Sequence, residues 1–364
     1  MRDLDYLIVG TGFSGAVLAE RLSSIKKKVL VIEKRSHLGG NSYDYYDEHG
    51  ILVHKYGPHY FRTNDKNIFN YLSKFTKWRH YEYRVRTSVD GNLYPFPINR
   101  DTLNQFFNTN LKTEDEAKEF LKTKIVSIKN PGNAEEQILA TLGKELYEKF
   151  YKNYTKKQWN IAPTKLESSV TARIPVRYNT DDRYFNEEIQ AMPLNGYFKL
   201  FENLLENIEI WFNTPFNKVK NDLEYKNLIY TGPIDEFFDY KFGKLPYRSL
   251  KFVHENYDKE FYQNWVQINY PNDYDYTRIV EIKHATGQNC SNTTIVKEYP
   301  SDQGKPFYPI PTKYNLALYK NYEQEALKLK NSYFIGRLAT YRYLNMDEVV
   351  KNALDLFQML QKKK

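Results

Sequence analysis

The feature that most constrains this chain is its N-terminal stretch from Asp5 to Asn41. A short apolar run, Tyr6-Leu7-Ile8-Val9, leads into Gly10-Thr11-Gly12-Phe13-Ser14-Gly15 and then into helix-compatible sequence from Ala16 to Lys28. A second apolar run, Val29-Leu30-Val31-Ile32, ends in Glu33. Strand, tight turn, helix, strand, acid is the pattern of a βαβ unit that holds an adenine dinucleotide. Gly10 permits the sharp exit from the strand. Gly12 lets the backbone approach a pyrophosphate held at the helix N-terminus. Gly15 lets the helix lie close on the sheet, and Glu33 can accept hydrogen bonds from ribose hydroxyls.

The residues after the acid choose among dinucleotides. Lys34-Arg35-Ser36-His37-Leu38-Gly39-Gly40-Asn41 places a second glycine pair directly after Glu33. Flavoproteins thread the chain back past the FAD pyrophosphate and ribityl chain here, whereas a nicotinamide enzyme normally runs straight into its next helix. FAD is the expected cofactor; an ordinary Gly-Gly turn is the plainer alternative. The net charge of +8 suits an anionic ligand. No nucleic-acid module and no dense basic run beyond Lys362-Lys363-Lys364 is present, so no nucleic-acid partner is expected. The one cysteine, Cys290, excludes an internal disulfide framework and a cysteine-rich metal site, and no metal is expected. The first strand is broken by glycines too early for a signal peptide, and no segment has the apolar length to span a bilayer. A soluble, cytoplasmic protein without membrane insertion is expected.

The chain reads as an α/β protein: a Rossmann-like FAD-binding domain, an inserted helical domain and an antiparallel β-sheet domain. The FAD-binding domain is expected in three parts, 1–80, 191–244 and 326–364, with a hairpin connection at 81–100. The insert spans 101–160, a mobile substrate segment 161–190, and the antiparallel sheet 245–325. The turn-rich stretch His54 to Asp65 is either a loop facing the isoalloxazine or a structural corner in which His59 donates to backbone. Asp90-Gly91, between two apolar runs, signals a hairpin. In the insert, Thr113 with Glu116 and Asn133 with Glu136 fit capping boxes. The second of these helices is expected to run on through Leu146, Phe150 and Tyr154 to Trp159. Its aromatic stripe suits a core, and its polar interruptions suit a partly exposed face. Pro163 to Arg177 looks loop-like. Tyr333-Phe334-Ile335-Gly336, followed by a helix from Met346 or Asp347, would aim a helix N-terminus at the flavin.

Taken together, the motifs resemble the prokaryotic UDP-galactopyranose mutase family. The resemblance rests on the two glycine patterns, Tyr56-Gly57-Pro58-His59, Tyr154 with Trp159, Arg173-Ile174-Pro175-Val176-Arg177, Tyr230-x-Gly232-Pro233-x-Asp235, Tyr247-Arg248-x-Leu250, Tyr276-Thr277-Arg278, Lys297-Glu298-Tyr299 and Gly336-Arg337-Leu338. It covers essentially the whole chain. It implies an FAD enzyme, active when reduced, in which flavin N5 attacks the anomeric carbon of a UDP-sugar and the ring recloses between pyranose and furanose forms. The cofactor then does the hard chemistry and the protein supplies position and charge. Galactofuranose for surface polysaccharides, a homodimer, and a reductant such as NAD(P)H or a flavin reductase belong to the same implication.

By this resemblance the catalytic residues are Arg173, Arg278, His59 and Arg62, with Arg173 and Arg278 clamping the diphosphate. Gly10, Gly12, Phe13, Ser14, Gly15, Glu33, Lys34, Gly40 and Asn41 hold the cofactor, joined by His59, Arg337, Tyr343, Asn345 and Met346. Tyr184, Tyr308 and Tyr343 donate to the phosphates, Phe150 and Tyr154 stack on uracil, and Asn269 lies near the nucleotide. Trp159, on the mobile segment, closes over the sugar, and Arg248, Glu298 and Arg337 line the flavin side of the substrate pocket. Two positions depart from the family. Arg62 stands where a second histidine is usual, and Asn345 where an aspartate is usual. A 2-acetamido sugar such as UDP-N-acetylgalactosamine then becomes a candidate substrate; drift at tolerant positions is the alternative. The competing readings are an amine-oxidase-like FAD oxidoreductase and a non-catalytic nucleotide-binding protein.

Overall fold

The computed structural model describes residues 3–362; Lys363 and Lys364 of the terminal basic run lie outside the described residues. The first strand, Leu4–Val9, is central to a five-stranded parallel sheet. The spatial order is Glu209–Trp211, Val29–Ile32, Leu4–Val9, Tyr225–Tyr230 and Ser332–Phe334. Leu7, Ile8, Leu30, Val31 and Ile32 are fully buried, as near-continuous apolar runs in a parallel sheet must be. The helix after the glycine turn, Phe13–Ser24, packs with the C-terminal helix, Met346–Lys362, on one face. Segments near positions 4–33, 209–230 and 332–362 therefore build one layer.

The second sheet has seven strands, ordered Tyr308–Pro309, Tyr247–Tyr257, Thr293–Ser301, Arg278–Val280, Gln267–Asn269, Val85–Val89 and Asn92–Phe96. All pairs are antiparallel except Gln267–Asn269 against Val85–Val89. The Asp90-Gly91 hairpin thus forms as expected but is the outer edge of this sheet rather than a free connection. Its parallel partner comes from far along the chain, which no local signal announces.

In the insert, helix Glu114–Lys122 carries the expected capping box: Thr113 accepts from the Glu116 N–H and Glu116 from the Thr113 N–H. Asn133 caps helix Ala134–Leu142, but Glu136 turns to the Gly132 N–H, so that box is only half made. The expected continuous helix from Ala134 to Trp159 is broken. Gly143 sits at φ +82°, and a Cβ there would lie 2.1 Å from the Lys124 carbonyl oxygen. The chain restarts as Lys144–Leu146, passes through a π-helical stretch Tyr147–Lys152, and ends as Asn153–Trp159. Close backbone contact with the preceding helix's exit loop overrides the helical periodicity.

Within the segment 161–190, expected to be mobile, the residues after Arg177 are tied to the rest of the chain. Arg177 is buried, and its guanidinium donates to the carbonyls of Arg183 and Phe185 (3.2 Å for the latter) and to Asn186 Oδ1 at 2.5 Å. Ile189–Pro193 is a strand between Phe61–Thr63 and Trp78–His80. One buried arginine fork and one strand fasten everything after Arg177.

Gly143→Ala should keep the fold but lose at least about 1–3 kcal/mol, the usual cost of a strained left-handed backbone plus a forced contact. Urea denaturation checks this. A shift below about 0.5 kcal/mol, the range of a neutral surface change, would show that the 124–143 contact is slack.

Candidate functional site

The glycines of the first turn divide their work. Gly10, at φ +100°, would put a Cβ 2.3 Å from Thr231 Oγ1, and Gly15 would put one 1.9 Å from the Gly10 carbonyl oxygen. Both are needed by the protein's own packing. Gly12 is different: its nearest neighbour for a Cβ is the Gly40 Cα at 4.0 Å. The space it keeps open is kept for a ligand, which is the cradle a pyrophosphate requires at the N-terminus of Phe13–Ser24. Gly40 packs back onto Gly12, where a Cβ would stand 3.1 Å from the Gly12 Cα. Gly336, after the last sheet strand, abuts Ser14 Oγ in the same way at 2.8 Å. Three glycine turns, distant in sequence, meet around one groove.

The other expected cofactor residues ring this groove with varied roles. Glu33 is buried, and its carboxylate accepts from the Thr11 N–H (2.9 Å), Thr11 Oγ1 (2.8 Å) and the Arg35 N–H (3.0 Å). It ties the glycine turn to the second strand, a use beyond the expected ribose contact. Arg35 bonds Asn41 Oδ1 at 2.8 Å, while its buried Nη1 has no protein partner, leaving a donor for a bound group. Lys34 pairs with Glu236 at 3.8 Å. The Phe13 ring is buried against Phe201, so only its backbone can face the groove. Met346 receives a contact from Ser42 Oγ at 3.9 Å.

His59 makes the bonds of the second alternative, a structural corner. Its Nδ1 lies 2.9 Å from the Gly57 carbonyl and its N–H donates to His54 Nδ1 at 3.0 Å, so it is a structural corner. Burial, with Arg337 and Arg278 nearby, lowers its pKa to about 4, so the ring is neutral at pH 7 with Nε2 left as an acceptor.

A second set of side chains forms an anion-seeking cleft. The Arg173 guanidinium lies 4.5 Å from the Tyr343 ring centroid and the Arg337 guanidinium 4.9 Å. Tyr343 keeps 45% of its surface open, which is why a ligand can reach it. Its ring stacks at 5.7 Å on Tyr308, whose field is shared by Arg278. Burial alone would raise the Tyr343 pKa, but Arg173, Arg337 and Arg62 outweigh it and bring it down to about 8. Tyr308, by contrast, is pushed up to about 12 by burial and by Tyr343. Arg278 pairs with the fully buried Glu298 at 2.8 Å, yet Arg278 Nε and both Glu298 oxygens lack a well-directed hydrogen bond. Such buried polar groups are normally satisfied, and Tyr154 and Tyr308 lie near this pair.

Sequence reading placed some neighbours correctly in the chain but not in their surroundings. Phe150, expected to stack on uracil, is buried in the insert core edge-on to Tyr94 and Phe106, both at 5.3 Å. Tyr154 is half-buried and remains available. Arg248, expected beside the flavin, is instead a buried clamp: it donates to the Gln158 carbonyl at 2.9 Å and pairs with Asp302. Trp159 packs with Leu166, Val170 and, at 6.4 Å, Tyr308, on the N-terminal side of Asn160, whose φ is +52°. Asn269 is buried, bonded to Gln267 and opposite Arg278 in the strand pair. Tyr184 packs beside Phe96 and Phe185. Arg62 and Asn345, the two departures, meet directly: Arg62 Nη2 donates to Asn345 Oδ1 at 3.0 Å and Nε to Glu187 at 3.0 Å, with the guanidinium 3.8 Å over Phe185. Phe185 and Glu187 were not anticipated; nothing in their local sequence pairs them with Arg62.

A glycine-cradled dinucleotide groove beside a two-arginine cleft defines a flavoprotein that handles a phosphorylated substrate. The UDP-galactopyranose mutase family profile matches residues 149–343, and an NAD(P)-binding Rossmann-like domain profile matches residues 8–75. A probable UDP-galactopyranose mutase of Klebsiella pneumoniae is 40% identical, covering 97% of this chain and 94% of its own. A dTDP-fucopyranose mutase of Escherichia coli is 38% identical, covering 97% of both chains. A crystal structure of reduced UDP-galactopyranose mutase shares the fold, with a TM-score of 0.82 at 16% identity over 100% of this chain and 95% of the other. The chain belongs to the UDP-galactopyranose mutase family, whose members are FAD-dependent isomerases.

Gly12→Val should give a folded but colourless apoprotein, because the protein leaves room for the side chain and the cofactor does not. Flavin absorbance and melting temperature measured together check this; a yellow variant would place the cofactor elsewhere. The Tyr343 hydroxyl can donate to a phosphate only below its pKa of about 8, and above it the phenolate offsets Arg173. UDP affinity should therefore fall about tenfold per pH unit once the pH exceeds that value. Calorimetry from pH 7 to 9.5 reads this, and Tyr343→Phe should flatten the profile.

Proposed function

We propose that the protein interconverts the pyranose and furanose forms of a nucleoside-diphosphate hexose. The observation that carries this reading is the pair Arg173 and Arg278, brought from distant segments to the two sides of Tyr308 and Tyr343. Two cations and two hydroxyl donors match a diphosphate leaving group carrying about two charges. When bound and reduced, FAD supplies at N5 the nucleophile for the anomeric carbon. The protein's part is to hold and release the diphosphate: Arg173 and Arg278 offset the charge that grows as the glycosidic bond breaks, and the two tyrosines direct it. Neutral His59 offers an acceptor without adding charge beside the sugar. Residues 160–173 close over the substrate, carrying Arg173 with them. An amine-oxidase-like reaction has no use for a diphosphate clamp, and a binding module has none for a cradle that seats a flavin beside it.

The sugar is read from Arg62. Its Nε and Nη2 are committed to Glu187 and Asn345, and Nη1 has no protein acceptor among the described residues. A guanidinium so held can donate to an acetamido carbonyl, so UDP-N-acetylgalactosamine is proposed as a substrate beside UDP-galactose. The relatives named for UDP-galactopyranose and dTDP-fucopyranose are similar to this chain to nearly the same degree, so dTDP-sugars belong in the same assay. The same reading gives the protein NAD(P)H or a flavin reductase as reductant, a cytoplasmic place in surface-polysaccharide synthesis and a homodimeric state.

The test is chromatography of UDP-galactose, UDP-N-acetylgalactosamine and dTDP-fucose after incubation with dithionite-reduced protein. Furanose product is expected only under reduction. Arg62→His should change the ratio of specificity constants for the two UDP-sugars by about ten- to a hundredfold, the worth of one hydrogen bond. An unchanged ratio removes Arg62 as selector, and net substrate oxidation with oxygen uptake removes the mutase reading.

A further inference from the structure

The aromatic helix meets the large sheet in two places: Phe150 and Tyr151 pack on Tyr94 and Phe96 of the edge strand, and a polar strip reaches the loop between two of its other strands. In that strip the Lys149 backbone carbonyl and the side chains of Asn153 and Lys157 contact the loop that joins strands Gln267–Asn269 and Arg278–Val280, while the Lys149 ammonium pairs with Asp90. Asn272 Nδ2 donates to the Lys149 carbonyl at 3.0 Å, and Asn153 Nδ2 donates to Asn272 Oδ1 at 3.0 Å. Lys157 makes the densest contact. Its ammonium donates to the carbonyls of Tyr270 (2.9 Å), Tyr274 and Tyr276 (3.3 Å). The loop is itself closed by the Tyr270 N–H bonding the Thr277 carbonyl at 2.8 Å. A single cation thus fills a ring of three backbone oxygens that would otherwise repel one another. From the other side Arg248 takes the Gln158 and Lys157 carbonyls and pairs with Asp302, which also receives Asn160 Nδ2 at 2.5 Å.

The loop's two ends carry residues of the cleft. Asn269 immediately precedes Tyr270, and Arg278 follows Tyr276 by two residues. Tyr154, one helical turn before Lys157, lies near enough to Arg278 for the arginine's charge to act on its hydroxyl. Moving the helix relative to the loop would change the gap between Tyr154 and Arg278 directly.

We propose that Lys157 is a positioning residue for nucleotide binding: seated in the carbonyl ring of residues 270–276, it locks the aromatic helix against the strands of Asn269 and Arg278 and so sets the width of the nucleotide cleft. It touches neither substrate nor cofactor, and it acts through Tyr154 and Arg278. The proposal rests on the nucleotide-sugar reading above.

The experiment uses flavin-loaded Lys157→Met, Lys157→Arg and Asn153→Ala, with flavin absorbance, melting temperature, UDP affinity by calorimetry, and kcat and KM under reduction. Lys157→Met should keep its flavin spectrum, bind UDP about ten- to a hundredfold more weakly and raise KM far more than it lowers kcat, the pattern of lost ground-state positioning. Lys157→Arg, which keeps the charge and donors, should recover most of the affinity, and Asn153→Ala should weaken binding a few-fold without unfolding. UDP affinity within twofold of the unsubstituted enzyme in Lys157→Met overturns the proposal. If Lys157→Met does not fold, unchanged affinity in both other variants overturns it. An unsubstituted enzyme that binds neither UDP nor dTDP removes the nucleotide-sugar reading itself, an outcome distinct from a loss confined to the variants.

Discussion

Close backbone approach at glycine is the constraint on which the rest of this structure depends. Gly15 lies against the Gly10 carbonyl, Gly40 against Gly12, and Gly336 against Ser14. A side chain at Gly15 would collide with backbone and one at Gly40 or Gly336 would force a neighbour to shift, so three turns from the start, the early part and the end of the chain approach one another closely. The Glu33 carboxylate then ties the first of them to the second strand through Thr11. A buried carboxylate is costly to desolvate, and its several donors offset that cost, so losing any one of them would be expensive. Convergence at the carboxyl ends of parallel strands is where ligands of open α/β sheets bind.

The second sheet turns that cofactor groove into half of a reaction site. It sets Arg278 and Glu298 opposite one another on adjacent strands, and it leaves their remaining hydrogen-bonding capacity unmet. Arginine is suited to this position because its planar fork keeps donors for a diphosphate after one has gone to a carboxylate. Arg173 comes from the far side on a segment held mainly by a small apolar cluster around Trp159, Leu166 and Val170. Arg278 is thus held by a buried ion pair with Glu298, whereas Arg173 lies on a segment with no such pairing among the described residues. Tyr343 lies within reach of Arg173, Arg337 and Arg62, and their positive charge holds its pKa down against the opposing effect of burial.

Much of the fold was legible. The first βαβ unit, the Asp90-Gly91 hairpin, the Thr113–Glu116 cap and the late strand followed by the Met346 helix all carry local signals, and all form. The failures share a cause. The aromatic helix breaks at Gly143 because Lys124 lies against it, Phe150 faces inward because Tyr94 and Phe106 are there, and Arg248 turns to Gln158 and Asp302. Each was decided by a neighbour that periodicity and spacing do not name.

By itself the sequence determined the class of cofactor, the layered α/β plan and the residue types available to hold a diphosphate, since glycine spacing, apolar runs and arginine chemistry act over a few residues. Only the tertiary structure decided which arginines face the cleft and which staple the chain, that Arg62 meets Asn345, and that Lys157 closes a ring of carbonyls on a loop more than a hundred residues away. Those outcomes depend on distances between segments far apart in sequence, and such distances exist only once the sheets have closed.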